Sequence, residues 1–167
     1  MKRNGFTLVE LVVAIAVLGV LAVGAITILN PVEQIRKSTD TKKKAELAQF
    51  QRALELYYQD AGRYPASSAN YRIVVNATTL NWGATWQPYI SKIPTDPSPG
   101  KSYVYYSPPA SNGQTYYLYA TLERGAKDPQ ACNAGSACTS LSGAGFPASN
   151  ACGGTCNFGV ASANVSP

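Results

Sequence analysis

Histidine is absent from this 167-residue sequence, and its absence excludes several kinds of catalytic and metal site at once. A Ser-His-Asp triad, a Cys-His nucleophile pair and a zinc site with histidine ligands all need an imidazole. The chain also contains no nucleophile-elbow motif and no paired-carboxylate motif for acid–base catalysis. We therefore expect a protein that is not an enzyme and that needs no cofactor.

Charge is scarce too, at 14% of residues against about 25% in an ordinary soluble domain. The deficit is greatest near the start, where Glu10 is the only ionisable side chain in residues 6–30. Residues 6–29 would form a helix about 36 Å long, enough to cross a hydrocarbon core of roughly 30 Å. Lys2 and Arg3 precede this stretch and favour a cytoplasmic N-terminus. A removed signal peptide is the alternative, but the apolar run exceeds the roughly 7–15 residues of such peptides.

Glu10 is unusual in such a helix, because a carboxylate there raises the free energy of membrane insertion by roughly 3 kcal/mol on insertion scales. It needs a positively charged partner, and the apolar run after it contains none. Cleavage after Gly5 would make Phe6 the N-terminus and place an ammonium group four residues from Glu10. Residues four apart lie on the same face of a helix. Glu10 is therefore a candidate functional residue, with a new N-terminal amine as its possible partner.

The segment from Lys2 to Glu10, KRNGFTLVE, resembles the class III leader of type IV pilins and type II secretion pseudopilins. In that family a prepilin peptidase cleaves after the glycine and methylates the new N-terminal phenylalanine. The family's glutamate pairs with the N-terminal amine of a neighbouring subunit. The resemblance thus implies a cleaved leader over residues 1–5, N-methylation of Phe6 and an assembly contact at Glu10.

A second, amphipathic helix is expected over residues 31–62. Pro31 should kink or interrupt the helical path, and Gly19 weakens the helix before it. In the resembling family such residues let part of the helix melt on assembly, although a passive kink fits the same residues. Gly62 suits the left-handed position that ends a helix. The predicted apolar stripe is Leu47, Phe50, Leu54, Tyr57 and Ala61, and the predicted polar face is Lys44, Gln51, Glu55 and Gln59.

Five positive charges cluster near the start of this helix. Their position beside the membrane favours a solvated surface that meets lipid phosphates or neighbouring subunits. The cluster lacks the interleaved aromatic residues of a single-strand binding platform, so nucleic acid is not an expected partner. The residues are Arg36, Lys37, Lys42, Lys43 and Lys44.

Residues 63–124 are expected to form a β-rich head. Strand-forming residues predict strands at Tyr71–Val75, Lys101–Ser107 and Gln114–Glu123, with a turn at Asn112-Gly113 between the last two. Six tyrosines fall in that hairpin, and we interpret them as half-buried sheet packing, not as a ligand cage. They are Tyr103, Tyr105, Tyr106, Tyr116, Tyr117 and Tyr119.

Two head motifs resemble the major pseudopilin of type II secretion. One is Tyr57…Asp60…Gly62…Tyr64-Pro65, and the other is the loop Pro94-Thr95-Asp96-Pro97. The resemblance, over about residues 1–123, implies an α+β, pilin-like fold with a long N-terminal helix on a small antiparallel sheet. The implied function is that of a structural subunit of a secretion filament. The alternatives are a type IV pilin for adhesion, motility or DNA uptake, and a monomeric membrane-anchored binding protein.

Residues 125–167 form a tail that departs from the family, with the four cysteines. The family often holds calcium here through aspartates and carbonyls, but Asp128 is the tail's only carboxylate. Because calcium takes six to eight oxygens, we expect no metal site. An even number of cysteines beyond a membrane segment favours two disulfides in a loop region over a zinc site. Three pairings are possible, the simplest being Cys132–Cys138 with Cys152–Cys156.

The resemblance also implies the partners and the location. The partners are further copies of the chain packed helix to helix, a prepilin peptidase, minor pilins or pseudopilins, an inner-membrane assembly platform and the lipid bilayer. The protein would be single-pass in the inner or cytoplasmic membrane, with its head periplasmic or extracellular in the filament.

Overall fold

The computed structural model describes residues 5–138 and 151–164, with the backbone alone at 26–29. The leader residues Lys2 and Arg3 lie outside the described residues. Backbone contacts divide the chain into two units, Met1–Arg36 and Lys37–Pro167. The first holds the apolar helix, and the second holds the head.

Helix α1 spans Leu8–Leu29 and is long and apolar enough to cross a membrane, by length and composition. Every residue from Gly5 to Ala25 is exposed in the structure. The helix ends at Asn30, whose backbone is left-handed (φ 41°, ψ 68°). The next helix begins at Pro31, where the missing N–H is not needed. The interruption lies where the sequence predicts it.

Helix α2 spans Pro31–Ala61 and supplies one side of the head's core. Leu47, Phe50 and Leu54 are fully buried, which confirms most of the predicted apolar stripe. Ala61 is exposed, so the stripe ends one turn before the helix does. Gly62 follows with φ 68°, the left-handed conformation predicted for it.

Two small antiparallel sheets complete the described part of the head, in the orders β1-β2-β3 and β4-β5-β6. The predicted strand at Tyr71 starts two residues later, because Tyr71 itself has a left-handed backbone (φ 57°). The predicted hairpin is present, and Val104 pairs with Tyr119 across it. The strands are β1 Ala66–Ser67, β2 Ile73–Val75, β3 Thr78–Leu80, β4 Val104–Tyr106, β5 Tyr117–Ala120 and β6 Phe158–Ala161.

Strand β6 comes from the tail and was not predicted. It pairs with β5 in antiparallel register, with Val160 opposite Leu118, and it brings Phe158 into the core. Gly, Ala and Ser dominate the tail, so its sequence carries little strand signal. The tail therefore extends the sheet as well as forming loops.

The prediction of half-buried tyrosines is wrong for four of the six. Tyr103, Tyr105 and Tyr116 belong to the core beneath α2, and each is at most 1% exposed. Tyr119 points to the opposite face, where it packs in a second buried cluster with cysteines of the tail. Because α2 covers one face of this sheet and the tail covers the other, tyrosines on both faces are buried.

Candidate functional site

The predicted processing and assembly residues lie together at the start of α1. Gly5 and Phe6 precede the helix, and Phe6 is 82% exposed. A Cβ added at Gly5 would meet no described residue within 4 Å. Phe6 and Glu10 border one shallow surface groove with Val9 and Val13. The segment is therefore sterically open at the expected cleavage point and presents Phe6 and Glu10 side by side.

Glu10 also has a hydrogen-bond partner in its own chain, which the sequence analysis missed. Thr7 donates to Glu10 Oε2 from its hydroxyl (2.8 Å) and from its backbone N–H (2.9 Å). The Glu10 N–H donates in return to Thr7 Oγ1 (3.3 Å). This reciprocal capping box has the sequence signature Thr-x-x-Glu, which was visible in the chain. It holds the carboxylate at the helix end without neutralising its charge.

The basic cluster on α2 is not the free positive surface that its sequence suggests. Four of its five cations form ion pairs among the described residues, and Lys43 is wholly buried, against the prediction of a solvated or intersubunit surface. Paired cations attract nucleic acid weakly, since their charge is already compensated. The pairs are Arg36–Glu33 (3.5 Å), Lys42–Glu46 (3.9 Å), Lys43–Asp96 (3.1 Å) and Lys44–Asp128 (2.6 Å).

Lys43 joins three parts of the head. Its ammonium donates to the Thr121 carbonyl after β5 (2.7 Å) and lies 3.1 Å from Asp96 of the Pro-Thr-Asp-Pro loop. The Glu123 carboxylate is 3.9 Å away. Lys43 precedes Leu47 by four residues, so it continues the apolar stripe. That spacing was the signal that could have separated it from its exposed neighbours.

Asp40 lies one turn before Lys43 and acts on the same stretch of chain. Its two carboxylate oxygens accept the backbone N–H groups of Glu123 (2.8 Å) and Arg124 (2.9 Å). Asp40 is 3% exposed. Sequence analysis gave it no role, although its spacing to Lys43 places both on the buried face.

Buried tyrosine hydroxyls bind carboxylates of α2. Tyr64 and Tyr116 donate to Glu55, and Tyr103 donates to Glu46 (2.5 Å). The pKa values of Tyr64 and Tyr103 are well above the usual tyrosine value. Burial is the main cause, and the hydrogen bond to a carboxylate adds to it. Glu55 was assigned to the polar face, and its partly buried position is explained by these two bonds.

The tail is held by two disulfides, each between nearest cysteines in sequence. Cys132 is bonded to Cys138, and Cys152 is bonded to Cys156. Asp128, the tail's carboxylate, bonds to Lys44 and accepts the Gln130 N–H. Its burial alone would raise its pKa, but these two partners outweigh that effect and hold the pKa below its usual value.

Comparisons with known proteins identify the family. The family model described as "Type II secretion system (T2SS), protein G" matches residues 30–135, and the prokaryotic N-terminal methylation motif matches residues 1–26. The chain belongs to the type II secretion system protein G family. The relatives support the main expectation from the sequence, that of a pseudopilin subunit. No solved structure gives a significant match.

Curated relatives agree with this placement, and each is named type II secretion system core protein G. The protein of Escherichia coli strain K12 is 31% identical over 112 residues, which cover 64% of this chain and 74% of that protein. That of Klebsiella pneumoniae is 33% identical over 110 residues, or 64% and 76%. That of Pseudomonas aeruginosa PAO1 is 28% identical over 136 residues, or 78% and 92%.

Proposed function

We propose that this pseudopilin is made as a membrane-inserted precursor, which a prepilin peptidase cleaves between Gly5 and Phe6. Cleavage creates an amine at Phe6, which becomes methylated. Subunits then polymerise through α1, with Glu10 of one copy bound to the Phe6 amine of the next. The observation that carries this proposal is the exposed groove shared by Phe6 and Glu10 on an exposed apolar helix.

The other partners follow from the same arrangement. Lys2 and Arg3 favour a cytoplasmic start, which places the head on the far side of the inner membrane. An assembly platform in that membrane and minor pseudopilins would add subunits to the filament and begin it. The filament would drive protein export, and the bilayer would hold α1 before assembly.

Processing is tested by the mass of the protein extracted from membranes. The wild type should start at N-methylated Phe6. Gly5→Leu should remain at precursor mass, because the peptidase site resembles one that accepts a small residue before the cut. Normal maturation of Gly5→Leu would overturn the assignment of the leader.

Assembly is tested by two substitutions that separate charge from capping. Glu10→Gln removes the charge but can still cap Thr7, since glutamine also serves in a capping box. Thr7→Val is the matched control, because it removes the cap and keeps the charge. We expect Glu10→Gln to insert normally but to yield few filaments, whereas Thr7→Val assembles.

The measurement is the yield of sheared filaments relative to the membrane level of each variant. Equal yields for Glu10→Gln and the wild type would show that the Glu10 charge is not an assembly contact. Loss of Thr7→Val filaments alone would assign Glu10 to capping instead.

A further inference from the structure

We propose that the Lys43 ammonium is a built-in cation that holds the head together, in place of a bound calcium ion. It ties α2 to the Pro-Thr-Asp-Pro loop and to the chain that leads from β5 into the tail. The proposal concerns the stability of the head and is independent of processing and assembly.

The surroundings of Lys43 are those of a cation site. Oxygens reach its nitrogen from the Thr121 carbonyl (2.7 Å) and Asp96 Oδ1 (3.1 Å), with Glu123 Oε1 at 3.9 Å. An ammonium has three hydrogens to donate, so one lysine can serve a site of this size. The side chains of Lys43 and Asp96 are both fully buried, which removes competing water from the pair.

The three oxygens around the Lys43 nitrogen are too few for calcium. Calcium takes six to eight oxygens at about 2.3–2.6 Å, commonly from several carboxylates. Among residues 5–138 and 151–164, no group of three or more acidic, cysteine or histidine side chains is placed to hold a metal ion. Asp96 Oδ2 is buried without a hydrogen-bond partner in that part of the chain. Lys43 already occupies the centre that an ion would need.

The carboxylate in the described part of the tail is already engaged. Asp128 Oδ2 is 2.6 Å from the Lys44 nitrogen, and Asp128 Oδ1 accepts the Gln130 N–H. Both oxygens of the tail's carboxylate are thus engaged with partners that a metal would displace. Two disulfides fix the rest of the described tail. We infer that lysine contacts and disulfides do the work of a metal in this head.

The first experiment measures thermal unfolding of the full chain in detergent, by tryptophan fluorescence, in EGTA and in millimolar calcium chloride. The wild-type Tm should differ by less than about 2 °C between the two solutions. Lys43→Met should lower the Tm by about 10 °C in both, because it leaves the buried Asp96 charge without its partner. Lys42→Met is the matched control, since Lys42 is the exposed neighbour, and its Tm should stay within about 2 °C of the wild type.

A double variant shows that the effect belongs to the ion pair. Lys43→Met with Asp96→Asn removes both charges, so it should recover at least about half of the loss. A wild-type Tm that calcium raises by more than about 5 °C would overturn the proposal, because a resident metal would then stabilise the head. The proposal would also be overturned if the Lys43→Met protein had the same Tm as the Lys42→Met protein.

A second measurement needs no variant and covers the case in which Lys43→Met does not fold. The folded wild type is treated with an amine-acetylating reagent, and the modified lysines are located by mass spectrometry. Lys42 should be acetylated, whereas Lys43 should stay unmodified until the protein is denatured. Equal acetylation of the two would show that the Lys43 amine is free, and the proposal would fail.

Discussion

Replacing Asp40 by alanine should lower the melting temperature of the head, because Asp40 supports the chain where β5 leads into the tail. Its carboxylate accepts the N–H groups of Glu123 and Arg124 at 2.8 and 2.9 Å. An N–H left without its acceptor in a buried place costs about 1–3 kcal/mol. Since these two groups are only part-buried, we expect a total loss of about 3 kcal/mol. For a chain of this length that corresponds to a Tm lower by about 10 °C.

The assay follows the two tryptophans of the chain, both of which lie in the head. The rings of Trp82 and Trp86 are 5.7 and 6.2 Å from that of Phe50, so their fluorescence reports unfolding of the core and not of α1. Asp40→Asn keeps one acceptor oxygen, so its loss of stability should be about half that of Asp40→Ala. Gln59→Ala, an exposed change on the same helix, is the control and should leave the Tm unchanged.

Two outcomes would refute this reasoning. If Asp40→Ala melted at the same temperature as Gln59→Ala, the two carboxylate bonds would carry no stability. If Asp40→Asn melted as low as Asp40→Ala, the loss would come from the missing charge and not from the missing acceptors.

Two further predictions concern solution conditions. The raised pKa of Tyr64 and Tyr103, caused first by burial, means that the unfolded chain ionises these groups at lower pH than the folded one does. The contribution of these two groups to the free energy of unfolding should therefore be fully present below about pH 10 and fall as the pH rises further, which melts between pH 8 and 11 would reveal. Reduction of the disulfides with dithiothreitol should lower the free energy of unfolding by about 2 kcal/mol for each short loop. Thermal melts with and without the reductant measure this loss. An unchanged Tm in fully reduced protein, checked by thiol counting, would contradict that estimate.

The sequence alone was sufficient for features that depend on neighbouring residues. The apolar run predicted α1, a helix long and apolar enough to cross a membrane, because length and charge decide insertion. The break at Pro31 and the end at Gly62 follow from backbone conformations that only a few residues favour. Helical periodicity also predicted which face of α2 packs on the core, through the spacing of Leu47, Phe50 and Leu54.

Tertiary structure decided which polar residues became internal. Five cations in a short stretch look alike in sequence, but Lys43 is buried because Asp96 and the Thr121 carbonyl arrive from parts of the chain more than fifty residues away. The sheet's second face is buried for a similar reason, since cysteines of the distant tail pack there against Tyr119. A residue's own neighbours set its helix or strand preference, but its burial and its charge partners depend on distant segments that only the folded chain brings together.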